Sequence, residues 1–100
     1  MLNNTAFETS TTGTGSTIAI GSAVDIPTVI RGFNLPAAVS AVNGRVYGYR
    51  AQDGSAWEWG TIEYSSSGPS FINRTPILSS DGAATAINLS GNAQVFIVPL

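Results

Sequence analysis

The sequence contains no cysteine, no histidine and no lysine. Without cysteine the chain can form neither a disulfide nor a thiolate metal site. Without histidine it lacks the commonest metal ligand and the commonest general base. We therefore expect no metal site and no cofactor, and catalysis has few side chains to draw on.

Charge is also scarce, because only 10% of the residues are charged, against about 25% in ordinary soluble domains. The net charge is −2, and the four cations, Arg31, Arg45, Arg50 and Arg74, are scattered along the chain. Binding to nucleic acid depends on a cluster of cations that displaces condensed counterions. The sequence therefore predicts no nucleic-acid partner, and so uncharged a surface suits a protein packed against other proteins.

Long hydrophobic runs are missing as well. The longest apolar stretches, such as residues 95–100, are far too short to cross a bilayer, so no membrane association is expected. The first residues lack the basic and apolar regions of a signal peptide. We expect synthesis in the cytoplasm, followed by incorporation into an assembly.

What the chain has in abundance is Ser, Thr, Asn and Gly between short apolar segments. One hundred residues are enough for one domain. The polar composition of residues 1–16 predicts an extended N-terminal arm, with Phe7 as its one large anchor, and residues 17–100 are predicted to form a single β domain.

The β domain is predicted from short β-prone segments that turn residues separate at regular intervals. This pattern is typical of a small antiparallel sandwich or barrel. One short helix is predicted over residues 36–42, because Pro36 suits a first helical position and Gly44 a helix end. The seven predicted strands are residues 17–20, 28–33, 45–51, 56–64, 70–73, 85–89 and 94–98.

The strongest local signal is a hairpin around Asp53-Gly54. We predict a register that pairs Ala51 with Ala56, which places Arg50 opposite Trp57 and Gly48 opposite Trp59. Arg50 over the Trp57 ring would form a cation–π pair, worth up to about 2 kcal/mol when desolvated.

The same register sends the aromatic residues of the hairpin to two faces. Trp57 and Trp59 lie on one face, and Tyr47 and Tyr49 lie on the other. One pair is expected in the core and the other at the surface or an interface, since exposed aromatic residues mark interaction surfaces. The partner of that surface is predicted to be protein, with a surface glycan as the alternative.

Catalysis is not expected. Glu58 and Glu63 lie close together along the chain, but their odd spacing sends them to opposite faces of a strand, so they cannot flank one bond. No histidine or lysine can activate a serine, and there is no Gly-x-Ser-x-Gly motif.

Several segments together resemble a module common in structural proteins of tailed bacteriophages. The similar segments keep the order of that family along nearly the whole chain. In this sequence they are FETSTTGTG at residues 7–15, DGSAWEWGT at 53–61, NRTPILSS at 73–80, AINLSG at 86–91 and QVFIVP at 94–99. The chain departs from the family in an apolar insertion at residues 34–42 and in Trp59, where valine is usual.

The resemblance implies a non-enzymatic virion component that forms or anchors a fibre, spike or adaptor. Its expected partners are copies of itself, with a trimer favoured, and other tail or head proteins of the particle. A glycan-binding module that recognises a host receptor and a capsid head-decoration protein are the alternatives. Candidate residues for orienting contacts are Arg50 and Arg74, and candidates for core or subunit contacts are Phe33, Trp57, Trp59, Tyr64 and Phe96.

Overall fold

The computed structural model describes residues 6–21, 41–66 and 70–98. These residues form nine antiparallel β-strands and no helix, which confirms the predicted all-β class. The strands are β1 (Ala6–Thr9), β2 (Thr12–Gly13), β3 (Ile18–Ala19), β4 (Val46–Asp53), β5 (Ala56–Ser65), β6 (Ser70–Ser79), β7 (Gly82–Ala83), β8 (Leu89–Ser90) and β9 (Ala93–Val98).

Seven of the strands belong to one strongly curved sheet. Its strand order is β1-β9-β4-β5-β6-β3, with β7 also paired to β6. The Gly21 amide, which follows β3, donates to the Glu8 carbonyl of β1 at 2.8 Å. The last strand of this order therefore lies close to the first. The sheet is therefore nearly closed into a barrel, and β2 and β8 form a separate two-stranded ribbon beside it.

The core follows the two-residue periodicity of the long strands. Tyr47, Tyr49 and Ala51 of β4 point inwards, as do Ile62 and Tyr64 of β5. The remaining core residues from the other strands and the segment before β8 are Phe7, Ile18, Phe71, Ile87, Leu89, Ala93, Val95 and Ile97. The aromatic rings of Phe7 and Phe71 stack with centroids 5.5 Å apart.

The N-terminal segment corrects one prediction. The boundary at residue 16 does not separate an arm from the domain, because Ala6–Thr9 pairs with β9 and Phe7 is fully buried. The polar composition of residues 1–16 does not reveal this pairing, because one buried aromatic residue among polar neighbours is enough to hold an edge strand in the sheet. The predicted strand at 28–33, which includes Phe33, and most of the predicted helix at 36–42 lie outside the described residues.

Strand β6 is longer than the predicted strand at residues 70–73, because two β-bulges allow its pairing with β5 to continue beyond Asn73 and Pro76. Between the pairs Thr61–Thr75 and Glu63–Ile72, one residue of β5 faces two of β6. Asn73 takes a φ of 54° at this bulge, a left-handed conformation that asparagine tolerates. A second bulge lies between the pairs Trp59–Leu78 and Gly60–Pro76.

The bulges also bring two backbones together at Gly60. A Cβ atom on Gly60 would lie 2.0 Å from the Thr75 carbonyl oxygen and 2.8 Å from the Pro76 Cα atom. Neither atom can move without shifting β6, so the close approach of β5 and β6 requires glycine at this position.

We predict that Gly60→Ala lowers the free energy of unfolding by about 3 kcal/mol, because the added methyl group must displace main chain. Chemical denaturation followed by tryptophan fluorescence measures the loss. Gly15→Ala is the control, since nothing lies within 4 Å of a Cβ atom at residue 15. Equal stability of the two variants would contradict the predicted contact.

Candidate functional site

Apart from Phe33, which lies outside the described residues, the candidate residues from the sequence fall into two groups on opposite faces of the barrel wall. Arg74 and Tyr64 are buried on the inner face. Arg50, Trp57, Trp59 and Phe96 lie on the outer face, half-buried or exposed. The predicted division of the hairpin is confirmed, because Tyr47 and Tyr49 are in the core and Trp59 is 40% exposed.

The predicted register of the hairpin is wrong by two residues. Asp53, not Ala51, pairs with Ala56, and the loop is Gly54-Ser55. Gly54 has a φ of 62°, a left-handed value that glycine supplies at the first loop position. Because the shift is an even number of residues, every side chain keeps the face that was predicted for it.

The shift changes which residues of the hairpin stand opposite each other. Arg50 is directly across from Trp59, and Gly48 is across from Thr61 rather than Trp59. The predicted cation–π pair is nevertheless present along the diagonal, with the Arg50 guanidinium carbon 5.3 Å from the centroid of the Trp57 ring.

The inner face contains a fully buried ion pair. Arg74 Nε donates to Glu58 Oε2 at 2.7 Å, and Arg74 Nη2 donates to Glu58 Oε1 at 2.6 Å. The hydroxyl group of Tyr49 donates to Glu58 Oε2 as well. Bidentate geometry is the strongest form of an arginine–carboxylate contact, and the side chains are only 1% and 0% exposed.

The buried ion pair also binds main chain from the segments that cover the inner face. Arg74 Nη1 donates to the carbonyl oxygens of Gly13 and Gly15 at 3.3 and 3.2 Å. Arg74 Nη2 donates to the Ile87 carbonyl at 2.8 Å, and the Ile87 amide donates to Glu58 Oε1 at 2.9 Å. Among the described residues no buried side-chain polar atom lacks a partner.

These contacts determine the ionisation of the cluster. Burial alone would raise the pKa of Glu58, but hydrogen bonds from Arg74, Tyr49 and the Ile87 amide outweigh it and hold the pKa below its ordinary value. Burial and the adjacent Glu58 carboxylate raise the pKa of Tyr49, and Glu58 raises the pKa of Arg74 against the effect of burial. Glu58 and Arg74 are therefore both charged at neutral pH.

We call Tyr49, Glu58 and Arg74 the inner cluster. Its hydrogen bonds connect β4, β5 and β6, and its geometry leaves no room for a substrate. Glu58 accepts four hydrogen bonds from the protein itself and is fully buried. Glu63 lies on the outer face, where Asn73 donates to it at 3.2 Å, so the two carboxylates do not converge. Within residues 6–21, 41–66 and 70–98, no group of acidic or other metal-binding side chains could hold an ion.

The outer face presents a patch of aromatic, apolar and planar polar side chains, which we call the outer patch. It spans four adjacent strands of the sheet. Its members are Arg50 and Gln52 of β4, Trp57 and Trp59 of β5, Leu78 of β6 and Phe96 of β9. Arg50 faces Phe96 on one side and Trp59 on the other, and Trp59 in turn faces Leu78.

Two polar contacts fix the centre of the outer patch. Arg50 Nη2 donates to Gln52 Oε1 at 3.3 Å, and Gln52 Nε2 donates to the Gly54 carbonyl at 2.8 Å. Trp59 and Leu78 remain 40% and 39% exposed. No carboxylate belongs to the patch, so Arg50 is its single charge.

Comparison of the chain with protein-family models, with curated proteins and with solved structures found no match. In the part of the chain that the structure describes, no helix has the length and apolar character needed to cross a membrane.

We predict that Glu58→Gln lowers stability at pH 7 by about 3–5 kcal/mol, because it leaves the Arg74 charge buried without its partner. The pKa of Glu58 in the folded state lies below its ordinary value of 4.5. The contribution of Glu58 is therefore fully present above that value and is lost as the pH falls through the folded-state pKa. Denaturation midpoints measured from neutral to acidic pH test both statements.

The matched control for this prediction is Glu63→Gln, which removes a carboxylate from the outer face of the same strand. Its cost should be about 1 kcal/mol or less. The variant Glu58→Gln should also flatten the acid dependence of the stability. The same acid dependence in Glu58→Gln as in the unmodified protein would show that the ion pair does not control it.

Proposed function

We propose that this protein is a non-enzymatic structural subunit of a tailed-bacteriophage particle. In this proposal it forms or anchors a fibre, spike or adaptor through contacts with copies of itself and with neighbouring virion proteins. The single observation that carries the proposal is the outer patch, a rigid and exposed aromatic surface with one arginine at its centre.

The composition of the outer patch supports a protein partner. Tryptophan, phenylalanine and arginine are enriched at protein interfaces, whereas lysine, glutamate and aspartate are depleted. Binding energy also concentrates in a few tryptophan, tyrosine and arginine residues near the centre of an interface. Trp59 and Arg50 lie side by side in the patch and fit that description.

The scaffold beneath the outer patch supports an assembly role as well. The patch is built on paired strands of the barrel and not on loops, so little conformational entropy is lost when a partner binds. The buried ion pair of Glu58 and Arg74 fixes β5 and β6 from the opposite face of the same wall. Such a surface is organised before it meets its partner.

The absence of an enzymatic role is part of the proposal, and the use of the acidic residues supports it. Glu58 is committed to the interior, and Asp53 accepts hydrogen bonds from the Ser90 amide and hydroxyl at 2.7 and 2.8 Å. The proposal also includes no nucleic-acid partner. Arg74 is buried, which leaves Arg45 and Arg50 as the cations on the described surface.

A trimer is our first choice of oligomer, by analogy with the threefold symmetry of many fibres and spikes. The outer patch also suits a head-decoration protein. In that role its partner would be a capsid protein and not a tail protein. In each case the protein is made in the host cytoplasm and acts in the virion.

A glycan-binding module is the second candidate function, and one observation favours it. The two indole rings of the outer patch lie beside the Gln52 amide and the Arg50 guanidinium. Aromatic faces can stack on sugar rings while planar polar groups bind hydroxyl groups. This function predicts saturable binding of saccharides to the outer patch.

The first function predicts that the purified full-length protein self-associates and that Trp59→Ala weakens the association by about 2 kcal/mol, as expected for a central interface residue. Light scattering coupled to size-exclusion chromatography over a range of concentrations measures the mass. Val42→Ala is the control, because Val42 is similarly exposed but lies outside the outer patch.

The outcomes separate the two candidate functions. A stable dimer, trimer or larger assembly that Trp59→Ala weakens supports the structural role. A monomer at every concentration, combined with saccharide binding that Trp59→Ala abolishes, would replace it with glycan recognition. Hydrolytic turnover of a saccharide by the pure protein would overturn both.

A further inference from the structure

The charges around the outer patch are arranged in a self-complementary way. Arg50 is the cation of the patch, and one described carboxylate lies two strands away from it on each side. Glu8 faces Gln94 of β9, two strands from Arg50 on one side. Asp81 follows β6, two strands from Arg50 on the other side, next to Ser80, whose Oγ accepts from the Trp57 amide at 3.1 Å.

The other three described carboxylates have partners within the chain. Glu58 is bound to Arg74, Asp53 to Ser90 and Glu63 to Asn73. Asp81 is exposed in the turn between β6 and β7. Its amide donates to Ser79 Oγ at 3.0 Å, which fixes the turn and leaves the carboxylate at the surface.

We propose that the outer patch binds the outer patch of a second copy of this chain, with Arg50 of each copy paired to Asp81 of the other. The proposal rests on the proposed function: it identifies a second copy as the partner of the outer patch, and it gives a twofold dimer at this surface in place of the trimer chosen by analogy. In a twofold contact, when residue i of one subunit meets residue j of the other, j also meets i. One arginine and one flanking carboxylate per chain are enough to form two ion pairs.

The position of the tryptophans decides between the two flanking carboxylates. A twofold axis midway between Arg50 and Asp81 passes through β5, which places Trp57 and Trp59 at the centre of the contact. An axis midway between Arg50 and Glu8 would pass through β9 and leave the tryptophans at the margin. Interface energy is concentrated in central aromatic residues that surrounding contacts shield from water. The contact through Asp81 is therefore the one the structure favours.

Charge complementarity makes the proposal specific. A like-charge contact at an interface costs several kilocalories per mole. We therefore expect Arg50→Glu to weaken self-association of the full chain by about a hundredfold, and Asp81→Arg to do the same. The double variant Arg50→Glu/Asp81→Arg reverses both charges and should restore association to within about tenfold of the original.

Sedimentation equilibrium of the full-length variants at low salt measures these constants, and circular dichroism checks that each remains folded. Arg45→Glu has the same charge change outside the outer patch and should leave association unaltered. Arg50→Glu/Glu8→Arg is the control for the rescue and should remain weak. Association should also decrease at high salt, because exposed charges are screened.

Each result has a distinct meaning. Rescue by Asp81→Arg and not by Glu8→Arg establishes the proposed contact. Self-association that is indifferent to Arg50→Glu overturns this contact but leaves the structural function standing. Rescue by Glu8→Arg alone also overturns it and moves the axis to β9. A protein that is monomeric at every concentration removes the self-assembly of the proposed function together with this inference.

Discussion

The carboxylate of Glu58 and the guanidinium of Arg74 lie between the barrel wall and the segments that cover it, and most of the architecture converges on them. Tyr49 contributes from β4, Glu58 from β5 and Arg74 from β6. Main-chain groups of Gly13, Gly15 and Ile87 complete the set. Two buried charges are tolerable only because every one of their hydrogen-bonding positions is filled. The arrangement also fixes the positions of its neighbours, since none of them can shift without leaving a buried polar group unpaired.

The bulges in β6 are what make this ion pair geometrically accessible. In a regular strand Phe71 and Arg74 would point to opposite faces, because they are an odd number of residues apart. The extra residue at Asn73 restores Arg74 to the inner face beside Phe71. The second bulge lets Leu78 face outwards next to Trp59, while Ser79 returns to the interior. The first bulge therefore places Arg74 beside Glu58, and the second returns Leu78 to the outer patch.

The sequence was sufficient for the class of fold and for the face that each hairpin side chain occupies, because both follow from two-residue periodicity. It was insufficient for the register, since Asp53-Gly54 and Gly54-Ser55 are both plausible loops and differ by two residues in pairing. The bulges were missed because a single inserted residue leaves no mark except an asparagine and a proline within a strand. The sequence indicates Arg74 as a residue for an orienting contact, but only the bulge identifies Glu58 as its partner. The role of Phe7 was concealed by its polar neighbours.

The segment from Ala6 to Gly21 pairs with β9 through β1, with β8 through β2 and with β6 through β3. Its partners all lie at least fifty residues further along the chain, so this segment leaves the ribosome long before the strands that it completes. The wall cannot close until β9 has been synthesised, and its closing contacts are among the most distant in sequence. Folds dominated by such distant pairings form slowly, in milliseconds to seconds. Until then the strands already made can form only an open sheet, and the low charge that suits the finished surface gives that sheet little protection against premature association.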